Sequence, residues 1–273
     1  MRIQAFEFMD LPQTPRFLRD SVVESLGNAM RWSGVCRTAA PVFREFLEGL
    51  ETDTVLDLCS GSGEPAAVLL DALNREGHKL PRFMISDLFP VVHQMAQAAA
   101  QFPEHIKPIN TPLDATNVPE IYPHSGRMLN AAFHHFPPAL AQRILEDAAA
   151  KGKAIIIMEP MNRHGRGALR MGVFFVAANM INPFISKQDR LLKALFTFLV
   201  PVIPLMAAWD GLVSIVRMYT REDFEALTAN IDAPYQWEFR QVNGGWGSIM
   251  CIFMGRPKAA DDNQAASRAL PGQ

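Results

Sequence analysis

Two hydrophobic periods alternate along the chain, and each predicts its own kind of element. Up to residue 50 the period is helical: Leu18, Val22, Leu26 and Met30 recur four apart, as do Val42, Phe46 and Leu50. From residue 55 short apolar runs read as strands, at 55–58, 83–87, weakly at 106–112, then at 128–133 and 154–158. Helical patterns at 66–73, 91–101 and 138–150 lie between them. Such alternation implies a parallel sheet with helices on both faces. The run 154–158 is continuous and β-branched, so it is expected to be central and buried on both sides. Two later runs, 235–242 and 248–254, are joined by Asn243-Gly244-Gly245-Trp246-Gly247 and read as an antiparallel pair closing the sheet. The predicted class is therefore α/β. It is a doubly wound, mostly parallel seven-stranded sheet with an antiparallel last strand.

The same pattern divides the chain into an N-terminal helical cover (1–50), a core (51–160), an apolar helical cap inserted after the fifth strand (161–216), the end of the core with the closing strands (217–257) and a polar tail expected to be disordered (258–273). Within the cap, 169–180 and 191–200 are apolar helical stretches, and Pro201 and Pro204 break the second. The run 191–209 approaches the length of a membrane span. Lys193 and the two prolines interrupt the roughly 20 clean apolar residues that a crossing helix needs. A soluble lid is the favoured reading of the cap; membrane contact and a homodimer through its apolar surface are alternatives. Thr220 and Asp223 form an S/T-x-x-D/E box, which predicts a helix start.

Composition narrows function more than fold. With 273 residues, 49% of them hydrophobic and 20% charged, the chain has ample material for a core. A formal net charge of −2 and the lack of a dense Lys/Arg block give no footprint for nucleic acid. Cys36, Cys59 and Cys251 lie far apart and form no metal-ligand spacing, so no metal is expected and a reducing cytoplasm is the simple setting. Met1 to Asp10 carries Glu7 and Asp10 where a signal peptide would carry basic and then apolar residues.

Candidate chemistry centres on Asp57-Leu58-Cys59-Ser60-Gly61-Ser62-Gly63-Glu64-Pro65, where a strand breaks into a small-residue turn and then a helix. That order brings bare backbone N–H groups up to a ligand. Read literally, Gly61-Ser62-Gly63-Glu64-Pro65-Ala66 fits the dinucleotide fingerprint G-x-G-x-x-G/A, with Asp87 near the distance of a ribose acid. This is the case for an NAD(P)-dependent oxidoreductase. Against it, Asp57 and Glu64 both stand where a pyrophosphate would lie, and two anions repel it. A cation reverses the sign. S-adenosyl-L-methionine carries an ammonium and a sulfonium, so Asp57 is placed to take the ammonium. Asp87, at the second strand's end, suits the ribose hydroxyls, and Asp114, after the third, the adenine amino group. Any one strand-end acid can equally cap a turn. Three at successive strand ends converge on the crevice where open α/β sheets bind ligands.

These residues resemble the motifs of class I S-adenosylmethionine-dependent methyltransferases. Residues 57–63 are similar to the first motif, D/E-x-G-x-G-x-G, and Asp87 and Leu113-Asp114-Ala115 are similar to the second and third. The resemblance covers roughly residues 50 to 160 and the closing strands. It implies a Rossmann-like fold, S-adenosyl-L-methionine as cofactor with S-adenosyl-L-homocysteine as product, and contacts from Cys59, Ser60, Gly61, Gly63, Leu88, Ala115 and Asn130 beside the three acids. The departure is Cys59 at the first glycine position, where its side chain narrows the methionine slot.

Methyl transfer needs an aligned acceptor and sometimes a base. His134 and His135 follow the fourth strand and titrate near neutral pH, so either is a candidate base, His134 favoured. Glu159, at the fifth strand's end, is a further candidate or a capping acid. Trp32 is expected to close over the ligand or merely to cover a sheet edge. Asp210, Arg217 and Tyr219 either line the acceptor pocket or, in the case of Asp210 and Arg217, form a structural ion pair. An aromatic- and Met-rich cap suits an apolar or aromatic small molecule. The alternatives are the oxidoreductase and a non-catalytic cofactor-binding module.

Overall fold

The computed structural model describes residues 2–163, 166–245 and 248–258, excepting the side chains of 166–169, 171, 245 and 248. Trp246 and Gly247 of the expected closing turn, and 259–273 of the expected disordered tail, lie outside the described residues. Three helices come first: α1 (Arg16–Ser33), α2 (Val35–Thr38) and α3 (Ala40–Glu48). The core follows as β1 (Thr54–Leu58), α4 (Glu64–Arg75), β2 (Arg82–Ile85), α5 (Val92–Gln101), β3 (Ile106–Pro108), β4 (Gly126–Asn130), α6 (Pro138–Ala150) and β5 (Ala154–Glu159). The cap is α7 (Arg166–Ile185), α8 (Arg190–Ala194) and α9 (Val202–Arg217), before α10 (Arg221–Thr228), β6 (Tyr235–Gly245) and β7 (Ser248–Pro257).

Among the described residues seven strands form one sheet in the order β3-β2-β1-β4-β5-β7-β6, as the alternating pattern predicts. Only β7 runs against the rest, pairing antiparallel with β5 and β6. The order reverses between β1 and β4, which pair in parallel from Val55 opposite Gly126 to Leu58 opposite Leu129. At that switch point the crossovers leave on opposite faces and open a crevice beyond the strands' C-terminal ends. One face packs α1 to α5 through Phe43, Phe46 and Leu69; the other packs α6 and α10 through Phe133, Ile144 and Phe224.

Differences from the expected boundaries cluster at that crevice. Strand β4 stops at Asn130, because Ala131 turns left-handed (φ 52°) and the chain enters a short 3-10 turn, Phe133–His135. Strand β2 ends at Ile85, which frees Asp87 to fold back on the glycine turn. Strand β3 ends at Pro108, which has no N–H to continue a ladder. The cap's second stretch is not one helix: α8 gives way to a π-helical turn at Leu195–Leu199 and bends 72° into α9. The Thr220–Asp223 box forms, with Thr220 N donating to Asp223 Oδ2 at 2.9 Å. Residues 2 to 14 do not join the helical cover beyond a 3-10 turn, Phe8–Asp10; they run along the cap instead.

The glycine turn itself is sterically fixed. Gly63 has φ 79°, and an added Cβ would meet Ile85 Cδ1 at 2.7 Å and Ala98 Cβ at 3.0 Å. Gly63→Ala should therefore destabilise the fold by about 1–3 kcal/mol, through both backbone strain and overpacking. Chemical denaturation checks this; an unchanged midpoint would contradict the geometry.

Candidate active site

The crevice at the β1/β4 switch opens into a cavity of about 520 Å³. That falls inside the roughly 300–1,000 Å³ typical of small-molecule sites. Cys59, Ser60, Gly61 and Asn130 form its floor, Leu88 and Phe89 one end, and α1 a wall through Val22, Leu26 and Met30. Helices α7 and α9 roof it with Phe175, Asn179, Ala207 and Asp210. The far end is closed by Gln4, Glu7 and Met9 beside His134.

The floor is built under strain. Cys59 has φ 58°, a left-handed conformation that glycine accepts freely and a side-chain-bearing residue does not. What holds the turn is a set of bonds to Asp57 of β1 and to Ser86 and Asp87 just beyond β2. Ser60 N donates to Ser86 O at 2.8 Å, Ser60 Oγ to Asp57 O at 2.7 Å, and Gly61 N to Asp87 Oδ2 at 2.9 Å. Asp87 Oδ1 also accepts from Phe89 N at 2.9 Å. Asp87 is thus a turn-capping acid that also lines the cavity, and a carboxylate keeps lone pairs free for two more donors.

Asp57 differs. It is 1% exposed, and among the described residues neither carboxylate oxygen has a hydrogen-bond partner. Asn130 Oδ1, at the end of the adjacent strand, is buried and unpartnered too. Buried acceptors with no donor are rare, because each forfeits its hydration without replacement. Burial pushes the Asp57 carboxyl up to about 8, opposed by the nearby Ser60 hydroxyl, which donates to the Asp57 backbone oxygen, and reinforced by the charge of Asp87. Three orphaned acceptors at the cavity floor, with Asn130 lining it and Asp57 buried without lining it, fit a ligand bearing several N–H donors and a positive charge. Glu64 proves irrelevant to that argument: its carboxylate is taken by Arg31 Nε at 2.7 Å and by Gln101 Nε2 at 3.0 Å, away from the cavity. The case against a pyrophosphate rests on the charge of Asp87 and on the acceptors of Asp57 and Asn130, to which a phosphate has no proton to donate.

At the other end the two histidines separate in role. His134 is buried, and Glu159, 2% exposed, holds it twice: Oε1 accepts from the His134 backbone N–H and Oε2 lies 3.0 Å from Nδ1. A carboxylate only accepts, so Nδ1 carries a proton, and in the neutral ring the lone pair is on Nε2; the ring lines the cavity. His135 instead belongs to an ion cluster, with Nδ1 2.7 Å from Asp10 Oδ1 and 3.2 Å from Glu7 Oε2. Burial opposes its charge, but Glu7 and Asp10 outweigh that and push it up to about 9. At that value it is charged at neutral pH, and it meets the cavity as a cation.

Several expected contacts are not made. Glu159 does not line the cavity; it orients His134. Arg217 is buried outside the cavity, donating to Asp10 Oδ2 at 2.6 Å, to Glu7 and to Ala5 O. Asp210 is not its ion-pair partner. It lines the cavity and accepts from Phe8 N at 2.8 Å and Met9 N at 3.2 Å, and burial pushes its carboxyl up to about 6. Tyr219 spends its hydroxyl on Phe136 O at 2.8 Å and packs against Phe133 and Phe224. Trp32 lies outside the cavity at the C-terminal end of α1, 43% exposed. Asp114 is exposed and bonds to Thr116 N and Oγ1, each at 2.8 Å, while Ala115 packs in the core; neither lines the cavity. Gly63 shapes the turn from below without lining it. Pattern reading missed the N-terminal segment altogether. Its visible signals are the acids Glu7 and Asp10 and the cation Arg2.

No protein-family model matches the chain, and no curated protein matches it. Solved structures do. The chain is similar to the plantazolicin methyltransferase BpumL in complex with SAH, with a TM-score of 0.52 over 92% of this chain and 93% of that one at 11% identity. It is also similar to the mitomycin 7-O-methyltransferase MmcR (TM-score 0.53, 16% identity, 93% of this chain) and to human N-acetylserotonin methyltransferase in complex with SAM (TM-score 0.50, 16% identity, 87%). The likeness establishes a methyltransferase fold. The chain spans less than two thirds of these last two proteins, 62% and 55% of their lengths.

The raised Asp57 carboxyl predicts a pH signature. Its folded value lies above its unfolded one, so its contribution to stability is greatest at acid pH and is lost as pH rises toward 8. Asp57→Asn removes that loss. Relative to the wild type, the variant should gain Tm between pH 5 and 8.5, by roughly 2–4 °C for each kcal/mol relieved. A pH-independent difference would contradict a buried, protonated Asp57.

Proposed function

We propose that this chain is an S-adenosyl-L-methionine-dependent methyltransferase acting on an apolar or aromatic small molecule. The observation that carries the reading is the trio of orphaned acceptors, both oxygens of Asp57 and Asn130 Oδ1, beneath the strained Cys59–Gly63 turn. The three similar enzymes are methyltransferases by name, and two of them are in complex with SAH or SAM, which supports the same cofactor here. Asp57 and Asn130 would hold the ammonium, Ser60 and Gly61 the methionine backbone, and Asp87 the ribose hydroxyls. When bound, the cofactor supplies a methyl group on a cationic sulfur, open to in-line displacement.

The chain's own contributions follow from geometry. Glu159 holds Nδ1–H of His134, so Nε2 can take the proton from an acceptor hydroxyl, and the resulting imidazolium is stabilised by the same carboxylate. The apolar roof and wall keep water from competing and orient the acceptor. Cys59 is no alternative nucleophile, because burial and then the charge of Asp87 raise its thiol well above the ordinary range.

Incubation with methyl-labelled S-adenosyl-L-methionine and a panel of phenolic and other apolar acceptors tests the reading through S-adenosyl-L-homocysteine formed. Turnover with at least one acceptor is expected. His134→Gln should lower kcat by about 10²–10⁴-fold with cofactor affinity unchanged. Glu159→Gln should shift the pH profile of kcat, since it acts through the imidazole. Stabilisation by NADH with no S-adenosyl-L-homocysteine from any acceptor would overturn the proposal.

A further inference from the structure

The cap carries a second surface that the reaction does not use. Between residues 191 and 209 every exposed side chain is apolar, including Leu191 at 89%, Leu199 at 76% and Leu205 at 66% exposure. The stretch holds two polar side chains, and both turn inward. Lys193 is 5% exposed and donates to Glu24 of α1 and to Ser186 Oγ; Thr197 is 2% exposed. Ring contacts extend the surface on both sides. Phe184 of α7 meets Phe198 at 5.6 Å, and Phe6 of the N-terminal segment meets Trp209 at 5.3 Å.

We infer that this face docks on a lipid bilayer, with the bent corner between α8 and α9 inserted among the acyl chains. Three observations select a bilayer over a second copy of the chain. A protein interface carries about one hydrogen bond per 100–200 Å², whereas this face offers no exposed polar side chain between Leu191 and Trp209. Its apex, Leu199 to Pro201 at a 72° bend, is exposed at every residue, a corner that can enter a fluid phase without a matching surface opposite it. The border has the chemistry of a headgroup layer. Lys187 and Arg190 are exposed beside Asp189 where the apolar face begins, and Trp209 presents its ring while Nε1 bonds to Phe6 O at 3.0 Å. Among the described residues no single helix is long and apolar enough to cross a membrane; only the bent pair 190–199 and 202–217 passes that test together. That pair is bent, and α9 keeps Ile203, Met206 and Ala207 packed inside the protein, so the surface is placed in the interface rather than across it. Helices α7 and α9 also supply Phe175 and Ala207 to the cavity roof, so the docking face and the cavity share walls.

Flotation of the full chain with phosphatidylcholine vesicles, with and without phosphatidylglycerol, tests the inference without reference to catalysis. The protein should float with the vesicles, and more of it with phosphatidylglycerol present. Leu199→Glu combined with Leu205→Glu, both on exposed positions, should leave Tm unchanged and lower vesicle partitioning roughly tenfold or more, from the lost burial of two leucines. Lys187→Glu with Arg190→Glu should remove only the gain due to phosphatidylglycerol. Failure to float with either vesicle would overturn the inference. So would a concentration-dependent dimer by analytical ultracentrifugation that the leucine variant splits.

Discussion

A carboxylate sealed from water with no donor to bind is the constraint on which this site depends. Asp57 stands at the end of a central strand, where β2 and β4 flank it and the glycine turn covers it. An uncompensated buried charge is costly, so the free protein relieves it by keeping the proton. Stability is thereby given up in exchange for a site that gains most from a cation. The strained backbone at Cys59 and Ala131, on the two adjacent strand ends, belongs to the same economy: β1 and β4 both stop abruptly to leave room for a ligand.

Around that floor the cavity is closed by contacts remote in sequence. Asp210 in α9 caps the 3-10 turn at Phe8–Asp10, and Arg217 binds Glu7, Asp10 and Ala5 O. Arg2 in turn donates to Arg217 O, His134 O and Phe136 O, which ties the N-terminal segment to the loop carrying the histidines. His135 joins this cluster as a cation. The pair of histidines that look alike in sequence both line the cavity and divide by partner: His135 is held by the cover's Glu7 and Asp10, and His134 by Glu159.

Much of this is legible in the sequence. Strand–helix alternation gave the sheet, and the small-residue turn with Asp57 and Asp87 gave its functional end, because period and turn chemistry are local signals. The boundary at Asn130 was not local, since it depends on a left-handed Ala131 that no propensity anticipates. Asp114 could not be told from a turn cap by spacing, and it is one. Arg217, Tyr219 and Asp210 were recognised as polar groups near the cap's exit, but their partners come from residues 2 to 10 and from Phe136, beyond any sequence window. Glu159 reads from the sequence as a further candidate base or a capping acid because it ends a strand at the crevice; in the fold it holds the His134 imidazole and does not line the cavity.

Calorimetric titration of S-adenosyl-L-homocysteine at pH 7, repeated in buffers of different ionisation enthalpy, tests the central claim most directly. If Asp57 is protonated in the free protein and ionised against the ligand's ammonium, binding should release about one proton per site, and Asp57→Asn should abolish the release. Binding with no proton release, or with the same release in the variant, would contradict the role assigned to Asp57.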